Sequence, residues 1–273
     1  MMERRIFLQT LVFGSGLLIF NQIKTGGMKN QDIRFRLRMI YNNTGESPGL
    51  KEAWGLAVWI EGENGVVLFD TGGDASVLRE NTEHAGLEPG RISTIVISHD
   101  HWDHRNGLEY LLEASSHSPE ILVPEEVADH YVQKYPGGRV RAISGPAEIS
   151  PGIWSTGSLK TTYKGADLFE QALLFVHGSR LALLTGCSHP GIVEIVQRVN
   201  QTFPGKKIAL VAGGFHLGSV NNAEILEISE LLHQEGVEKI APSHCTGNQA
   251  ISMFRKDWGT NFVEFNLGDD INL

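Results

Sequence analysis

Three imidazoles and two carboxylates lie within six residues in the segment 98–104, which reads Ser-His-Asp-His-Trp-Asp-His. An apolar, β-branched run precedes the segment and predicts a buried strand. Such ligands suit zinc, iron or manganese rather than calcium. His99 and His101 are two residues apart and point the same way at an extended strand end. The spacing predicts one or two divalent ions, held by His99 with His101 and by Asp103 with His104, and a bridging water as nucleophile.

Three later segments also place a histidine beside glycine after an apolar run. They are 185–191 (Thr-Gly-Cys-Ser-His-Pro-Gly), 213–217 (Gly-Gly-Phe-His-Leu) and 242–247 (Pro-Ser-His-Cys-Thr-Gly). Six of the eleven histidines lie in these segments or in the first one. Such clustering is typical of loops that converge on an active site. We take Asp103 and His216 as candidate catalytic residues, with His216 a metal ligand, a proton donor or a substrate contact.

Composition limits the class of protein. The chain has 273 residues, of which 41% are hydrophobic and 20% charged, as in an ordinary globular protein. Its formal charge of −9 and its lack of clustered Lys and Arg argue against nucleic-acid binding. Two cysteines, Cys187 and Cys245, are too few for a disulfide framework. Cys245 is interpreted either as a buried apolar side chain or as part of its motif.

The N-terminal segment, residues 1–27, has a separate interpretation. Arg4-Arg5 precedes an apolar stretch that ends at Phe20 and is too short for a confident membrane span. This pattern is similar to a twin-arginine signal and predicts export to the periplasm, or membrane association if the segment remains as an anchor. The alternative is a cytoplasmic protein with an amphiphilic N-terminus. Residues 28–273 are predicted to form a single domain.

Hydrophobic periodicity divides this domain into two halves, each with strands followed by helices. The first half is predicted to have strands at 33–41, 54–60, 66–69 and 92–97 and helices at 74–84, 108–114 and 124–131. The second half is predicted to have short strands between 140 and 163, strands at 172–176, 181–184, 208–211 and 237–240, and helices at 192–199, 223–234 and from 246. The order favours two sheets face to face with helices outside.

The pattern His-x-His-x-Asp-His after a β-branched strand resembles the signature of the metallo-β-lactamase superfamily. A strand that ends in Leu-Phe-Asp-Thr-Gly-Gly, residues 68–73, precedes it as in that superfamily. The three later histidine segments, in their order, resemble the branch of dihydropterin ribofuranosyl-aminobenzene-phosphate synthase-like proteins. The resemblance covers most of the chain from about residue 33, and it implies an α/β fold, the four-layer αββα sandwich.

The resemblance also assigns roles to individual residues. It implies that Asp70 supports the metal site without binding the metal, that His244 is the final histidine ligand and that His189 is the remaining imidazole. Cys187 stands where a bridging aspartate normally follows a strand. It is therefore a thiolate ligand, a group that supports the ligands, or inert. Trp102 is interpreted as a packing residue.

The sequence is consistent with three functions. The first is a metal-dependent hydrolase in which a metal-bound hydroxide attacks an ester or phosphoester of an anionic small molecule, with zinc the expected metal. The second is a transferase like the synthase. The third is a non-catalytic metal-binding or sensing protein. An anionic substrate is expected because backbone amides near Ser188 and His189, and near 243–246, precede helices and can bind phosphate or carboxylate.

Overall fold

The computed structural model describes residues 35–273, and the predicted export segment lies outside these residues. Fifteen strands and seven α-helices follow one another in this part of the chain. The strands are β1 Arg36–Tyr41, β2 Ala57–Gly62, β3 Gly65–Phe69, β4 Ile92–Val96, β5 Glu120–Pro124, β6 Arg139–Ile143, β7 Ala147–Ser150, β8 Ile153–Ser155, β9 Leu159–Tyr163, β10 Ala166–Glu170, β11 Leu173–His177, β12 Arg180–Thr185, β13 Lys207–Gly214, β14 Ile240–Ser243 and β15 Asp270–Asn272. The helices are α1 Ala75–His84, α2 Trp102–Arg105, α3 Leu108–Ala114, α4 Ala128–Lys134, α5 Ile192–Thr202, α6 Asn222–Gln234 and α7 Asn248–Trp258. In residues 35–273, no helix combines the length and apolar character needed to cross a membrane.

Two mixed sheets form the centre of the fold. The first has the strand order β15-β1-β2-β3-β4-β5-β6, and the second has the order β14-β13-β12-β11-β8-β7. Strands β3 to β6 are parallel in the first sheet, as are β12 to β14 in the second. Strands β9 and β10 pair separately as a hairpin. Each main sheet therefore has a parallel part whose strand ends can present loops on one edge.

Side-chain alternation explains the layers. On β2, Val58 and Ile60 belong to a core shared by both sheets, whereas Ala57 and Trp59 face the core beneath the helices of the first half. The same division holds in the second half, where alternate residues of β12 pack between the sheets or beneath α5, α6 and α7. Period-two alternation puts successive side chains on opposite faces. Three cores in this order make the four-layer αββα sandwich, as the sequence predicts.

Several elements differ from the sequence prediction: the strands β5, β10 and β15 were not predicted, and the bounds of other elements are displaced. The predicted helix at 124–131 is wrong at its start, because Pro124 ends β5 and α4 begins at Ala128. The last strand of the second sheet is β14, at 240–243 rather than 237–240. It includes Pro242, which an edge strand tolerates because one side of it needs no ladder hydrogen bond. β15 was missed because it is short and partly polar, and it pairs with β1.

A buried glutamine connects the two sheets. The Gln171 side-chain amide donates to the Ile97 carbonyl at 2.9 Å, and its oxygen accepts from the Ser155 hydroxyl at 2.7 Å. The Gln171 backbone N–H donates to the Ser98 carbonyl at 2.8 Å. Because buried amides need hydrogen-bond partners, these bonds fix the position of the end of β4 relative to the start of β11.

We expect Gln171→Leu to lower the free energy of unfolding by about 2–4 kcal/mol, because buried polar partners are left without hydrogen bonds. Urea unfolding monitored by circular dichroism measures the change. The matched control is Gln201→Leu at an exposed position of α5. Equal stability of the two variants would show that Gln171 does not connect the sheets energetically.

Candidate metal centre

The predicted site residues converge where strands of both sheets end. Asp70 follows β3, and the segment 98–104 follows β4 in the first sheet. The second sheet contributes three turns after β12, β13 and β14, and these turns carry Cys187, His189, His216 and His244. All the predicted ligands therefore lie on one edge of the sandwich, although they are distant in the chain.

One group of ligands consists of His99, His101 and His189. His99 Nε2 lies 3.0 Å from His101 Nδ1, and the rings of His99 and His189 have centroids 4.6 Å apart. Two nitrogens bound to one tetrahedral zinc ion at Zn–N distances of about 2.0 Å are separated by roughly 3.3 Å. The spacing of His99 and His101 is thus close to that of two ligands of one ion.

A second group consists of Asp103, His104 and His244 around the Cys187 thiol. His104 Nε2 lies 3.2 Å from Cys187 Sγ, and Asp103 Oδ2 lies 3.7 Å from His104 Nε2 and 3.6 Å from His244 Nε2. Cys187 also lies within 4.8 Å of the ligand atoms of His99 and His189. Its thiol therefore stands between the two groups, at the place where the family resemblance implied a bridging aspartate.

Four of the imidazoles are oriented by a hydrogen bond at Nδ1. The partners are the Ser98 hydroxyl for His99 (2.8 Å), the Asp70 carboxylate for His104 (2.7 Å), the Glu170 carboxylate for His189 (2.9 Å) and the Asn43 side-chain oxygen for His244 (2.5 Å). Metal-ligating histidines commonly bind through one nitrogen while the other is held in this way. The arrangement leaves Nε2 of each ring to bind a metal ion.

Asp70, which the resemblance gave a supporting role, is buried beside the candidate ligands. Its carboxylate accepts hydrogen bonds from the Ser98 backbone N–H at 2.7 Å and the Ser98 hydroxyl at 2.8 Å, in addition to the His104 ring. Burial raises the pKa of Asp70 well above its usual range, and the bonds from Ser98 oppose this effect. Asp70 thus orients His104 and fixes the start of the metal-binding loop.

Glu170 is the residue that sequence reasoning missed. It is 1% exposed, and its carboxylate accepts the backbone N–H groups of residues 187, 188 and 189 at 2.8 Å each, as well as the His189 ring. Burial alone would raise the pKa of Glu170, but the bond from His189 and the neighbouring imidazole of His99 hold it below its usual range. The available signal was two adjacent polar residues, Glu170 and Gln171, inside an otherwise apolar run.

Glu170 also corrects one expectation about the substrate. The amides near Ser188 and His189 were expected to bind an external phosphate or carboxylate. They are instead occupied by the Glu170 carboxylate, which fills the same anion-binding turn from inside the protein. Of the two expected anion sites, only the turn before α7 remains.

Charges at the site favour a divalent cation. Burial lowers the pKa of His99 well below its usual range and that of His104 to about 3, so both rings are neutral at neutral pH and their lone pairs can bind metal. Burial alone would raise the pKa of Asp103, yet the nearby His244 and His104 rings hold it below its usual range. Burial raises the pKa of the Cys187 thiol. A bound cation would lower this pKa, because it stabilises the thiolate.

The donor atoms fit a bound metal. His244 Nε2 and His216 Nδ1 are buried and have no hydrogen-bond partner within residues 35–273. A buried nitrogen without a partner is costly in a folded protein unless something binds it. With neutral imidazoles, a carboxylate and a thiol around them, these nitrogens form a donor set that fits a divalent metal ion.

Backbone strain is concentrated in the same turns. In residues 35–273, five non-glycine residues have a positive φ, and four of them lie at the site: Asp70, Ser188, His216 and His244. Their φ values lie between 51° and 60°, a conformation that costs energy for residues other than glycine. Such strain persists where the surrounding structure imposes it, which is common at functional sites.

A solvent-open pocket borders the second group of ligands. It has a volume of about 420 Å³ and is lined in part by Asn43, Trp54, His244 and Asn248. The Trp54 indole donates to Asp103 Oδ2 at 2.8 Å while its side chain is 51% exposed. Trp102, expected to be a packing residue, contacts Gly73 with one edge of its ring but is 53% exposed.

We expect Glu170→Gln to lower the free energy of unfolding by about 3–5 kcal/mol, because an amide cannot accept all four hydrogen bonds that the buried carboxylate accepts. The affinity for metal should also fall, since the His189 ring loses the hydrogen bond that orients it. Thermal unfolding and metal titration measure the two effects. The control is Glu227→Gln at an exposed position of α6, and equal behaviour of both variants would contradict the role given to Glu170.

Two curated proteins of Methanocaldococcus jannaschii are similar to this chain. The enzyme 7,8-dihydropterin-6-methyl-4-(beta-D-ribofuranosyl)-aminobenzene-5'-phosphate synthase is 27% identical over 264 residues, which cover 80% of this chain and 90% of the relative. An uncharacterized protein is 28% identical over 253 residues, with coverages of 80% and 93%. The similarity to the synthase agrees with the branch that the later histidine segments indicate.

Two solved structures have a similar fold. Tm1679, described as a metal-dependent hydrolase of the beta-lactamase superfamily, superposes with a TM-score of 0.71 at 25% identity and covers 87% of this chain and 98% of its own. The metallo-beta-lactamase fold protein YhfI from Bacillus subtilis gives a TM-score of 0.64 at 16% identity, with coverages of 88% and 100%. The model of the metallo-beta-lactamase superfamily matches residues 55–199, which is more than half of the chain. The chain therefore belongs to the metallo-beta-lactamase superfamily, whose members generally bind divalent metal ions.

Proposed function

We propose that this protein is a metal-dependent hydrolase that cleaves an ester or phosphoester of an anionic small molecule. The observation that carries the proposal is the unpartnered, buried Nε2 of His244 beside Asp103, at the wall of a pocket that is open to solvent. A metal site that serves catalysis keeps a position open to substrate, whereas a structural site is closed. The pocket therefore argues against the purely structural or sensing alternative.

The chain's own residues hold two divalent ions, for which zinc is the expected metal. His99, His101 and His189 form one ligand set, and Asp103, His104 and His244 form the other, with the Cys187 thiol between them. When bound, such ions polarise the scissile group and lower the pKa of water at the site. The hydrogen bonds at Nδ1 keep the rings in place, so little reorganisation is needed during the reaction.

The pocket suggests the shape of the substrate. Trp54 and Trp102 are two of the four large hydrophobic side chains that are clearly exposed in residues 35–273, and both lie beside the metal ligands. Both residues contact Gly73, where an added Cβ would lie 2.5 Å from the Trp102 ring and 2.6 Å from the backbone carbonyl oxygen of Trp54. Exposed aromatic faces at a site favour a substrate with a planar ring.

The negative group of the substrate has one remaining place beside the metal ligands. Gly247, the N-cap of α7, has no side-chain cap and lines the pocket together with Asn248. The first N–H groups of a helix favour an anion. Glu52 lines the same pocket and repels negative charge, so we place the anionic group toward α7 and the metals.

A transferase is the second candidate, and the synthase relative favours it. The relative's name describes an aminobenzene ring that carries a phosphorylated ribose, and the Trp-bordered pocket suits a ring of that kind. Product analysis separates the two reactions. Hydrolysis of a ribosyl phosphate ester consumes one water and releases both an alcohol and phosphate, whereas transfer requires a second organic substrate.

The proposal predicts a definite metal content. The protein purified without chelators from its native host should contain at least two metal ions per chain by elemental analysis, and His189→Ala should contain about one ion fewer. Chelator treatment should abolish hydrolysis of aryl phosphates or lactones, and added Zn²⁺ should restore it. His130→Ala, at an exposed position of α4, is the control. A metal-free native protein, or an unchanged count in His189→Ala, would refute the ligand assignment.

The two tryptophans should have separable effects. Trp54→Phe keeps a ring but removes the N–H that donates to Asp103, so we expect kcat to fall by about tenfold, which corresponds to about 1.4 kcal/mol, with little change in KM. Trp102→Ala removes an exposed ring, so we expect KM for an aryl phosphate to rise while kcat is kept. Steady-state kinetics with 4-nitrophenyl phosphate measure both, and the reverse pattern would contradict these roles.

A further inference from the structure

A third group of possible ligands lies beside the two already described. The sulfur atoms of Cys187 and Cys245 and a ring nitrogen of His216 all lie within 4.8 Å of one another. Both thiols are free and buried, with exposures of 3% and 7%. His216 Nδ1 is buried and has no hydrogen-bond partner in the part of the chain that the structure describes. A buried ring nitrogen without a hydrogen-bond partner therefore lies close to two thiols that form no disulfide.

The backbone is shaped to bring these three side chains together. His216 has a φ of 54°, a strained value for a residue other than glycine. The Phe215 N–H donates to the Thr246 hydroxyl at 3.0 Å and so ties the His216 turn to the Cys245 turn. A Cβ at Gly214 would lie 2.7 Å from Cys245 Sγ, so glycine is required there for the thiol to fit.

The alternative to ligand binding is simple packing. Buried cysteines are often small apolar side chains, and packing alone would explain Cys245. It would not explain why an unpartnered histidine nitrogen is held beside it on a strained turn. Two thiols with an imidazole are instead a common donor set for zinc, and thiolates select soft and borderline metals.

We propose that Cys187, His216 and Cys245 form a thiolate-rich metal site, adjacent to the two imidazole groups and sharing Cys187 with them, that binds a borderline or soft cation such as Zn²⁺ or Cd²⁺. Binding releases the thiol protons to solvent, as in other thiolate sites. Because Cys187 Sγ also lies 3.2 Å from His104 Nε2, a cation in this site would compete with the second group for the sulfur. The geometry assigns His216 the role of a metal ligand, rather than that of a proton donor or a substrate contact.

Cobalt spectroscopy tests the site without substrate turnover, so the result is independent of the proposed hydrolysis. Metal-free protein is titrated with Co²⁺ under anaerobic conditions with a phosphine reductant, and the thiolate-to-cobalt charge-transfer absorption is measured. We expect this absorption to fall by about half in Cys245→Ser, because its intensity follows the number of bound thiolates. It should disappear when Cys187→Ser is added, and His216→Ala should weaken Co²⁺ binding by at least about tenfold.

His130→Ala serves as the control for an unrelated histidine, and circular dichroism confirms that each variant is folded. Cadmium NMR tests the site in the protein without any substitution, because the chemical shift of a bound cadmium ion depends on how many thiolates bind it. Two thiolates on one cadmium ion would support the proposal. A single thiolate, or unchanged cobalt absorption in Cys245→Ser, would overturn it and leave Cys245 as a packing residue.

Discussion

The metal centre depends on two buried carboxylates, Asp70 and Glu170. Burying a carboxylate is costly unless its oxygens are fully hydrogen-bonded. Here Glu170 accepts the backbone N–H groups of residues 187–189, and Asp70 accepts the backbone N–H and the hydroxyl of Ser98. Each carboxylate then accepts one more bond, from a histidine ring, and so determines which nitrogen of that ring faces the site. The two carboxylates come from opposite halves of the chain, so the sandwich must assemble before the ligands are placed.

The parallel parts of the two sheets give the centre its position. Strands β3 and β4 deliver ligands from one sheet, and β12, β13 and β14 deliver them from the other. Gln171 connects the sheets close to this edge, through the carbonyl groups of Ile97 and Ser98. Fold stability and ligand geometry are thus coupled, because the same strand ends carry both sets of contacts.

Cys187 changes the chemistry at the middle of the site. A carboxylate at this place offers hard oxygen ligands, whereas a thiol offers one softer and more polarisable atom. The two sides of the centre also differ. The His244 side faces the solvent-open pocket with Trp54, whereas the His189 side is covered by Tyr163 and His216, whose ring centroids lie 4.9 and 4.4 Å from that of His189. The pocket that is open to solvent therefore lies on the His244 side of the centre.

The amino-acid sequence by itself determined the layered fold and indicated most of the side chains that lie together at the candidate metal centre. Alternating apolar residues and clustered histidines are local patterns, and they depend on neighbours a few residues away. The strand β5 and the edge strand β14 were harder to predict, because their short runs contain or end in proline and form only with sheet neighbours. Tertiary structure alone decided that Glu170 fills the turn at 187–189, that Cys187 lies between the two ligand groups, and that Cys245 meets His216. Those contacts join residues from 17 to 83 positions apart, and no local pattern encodes such distances.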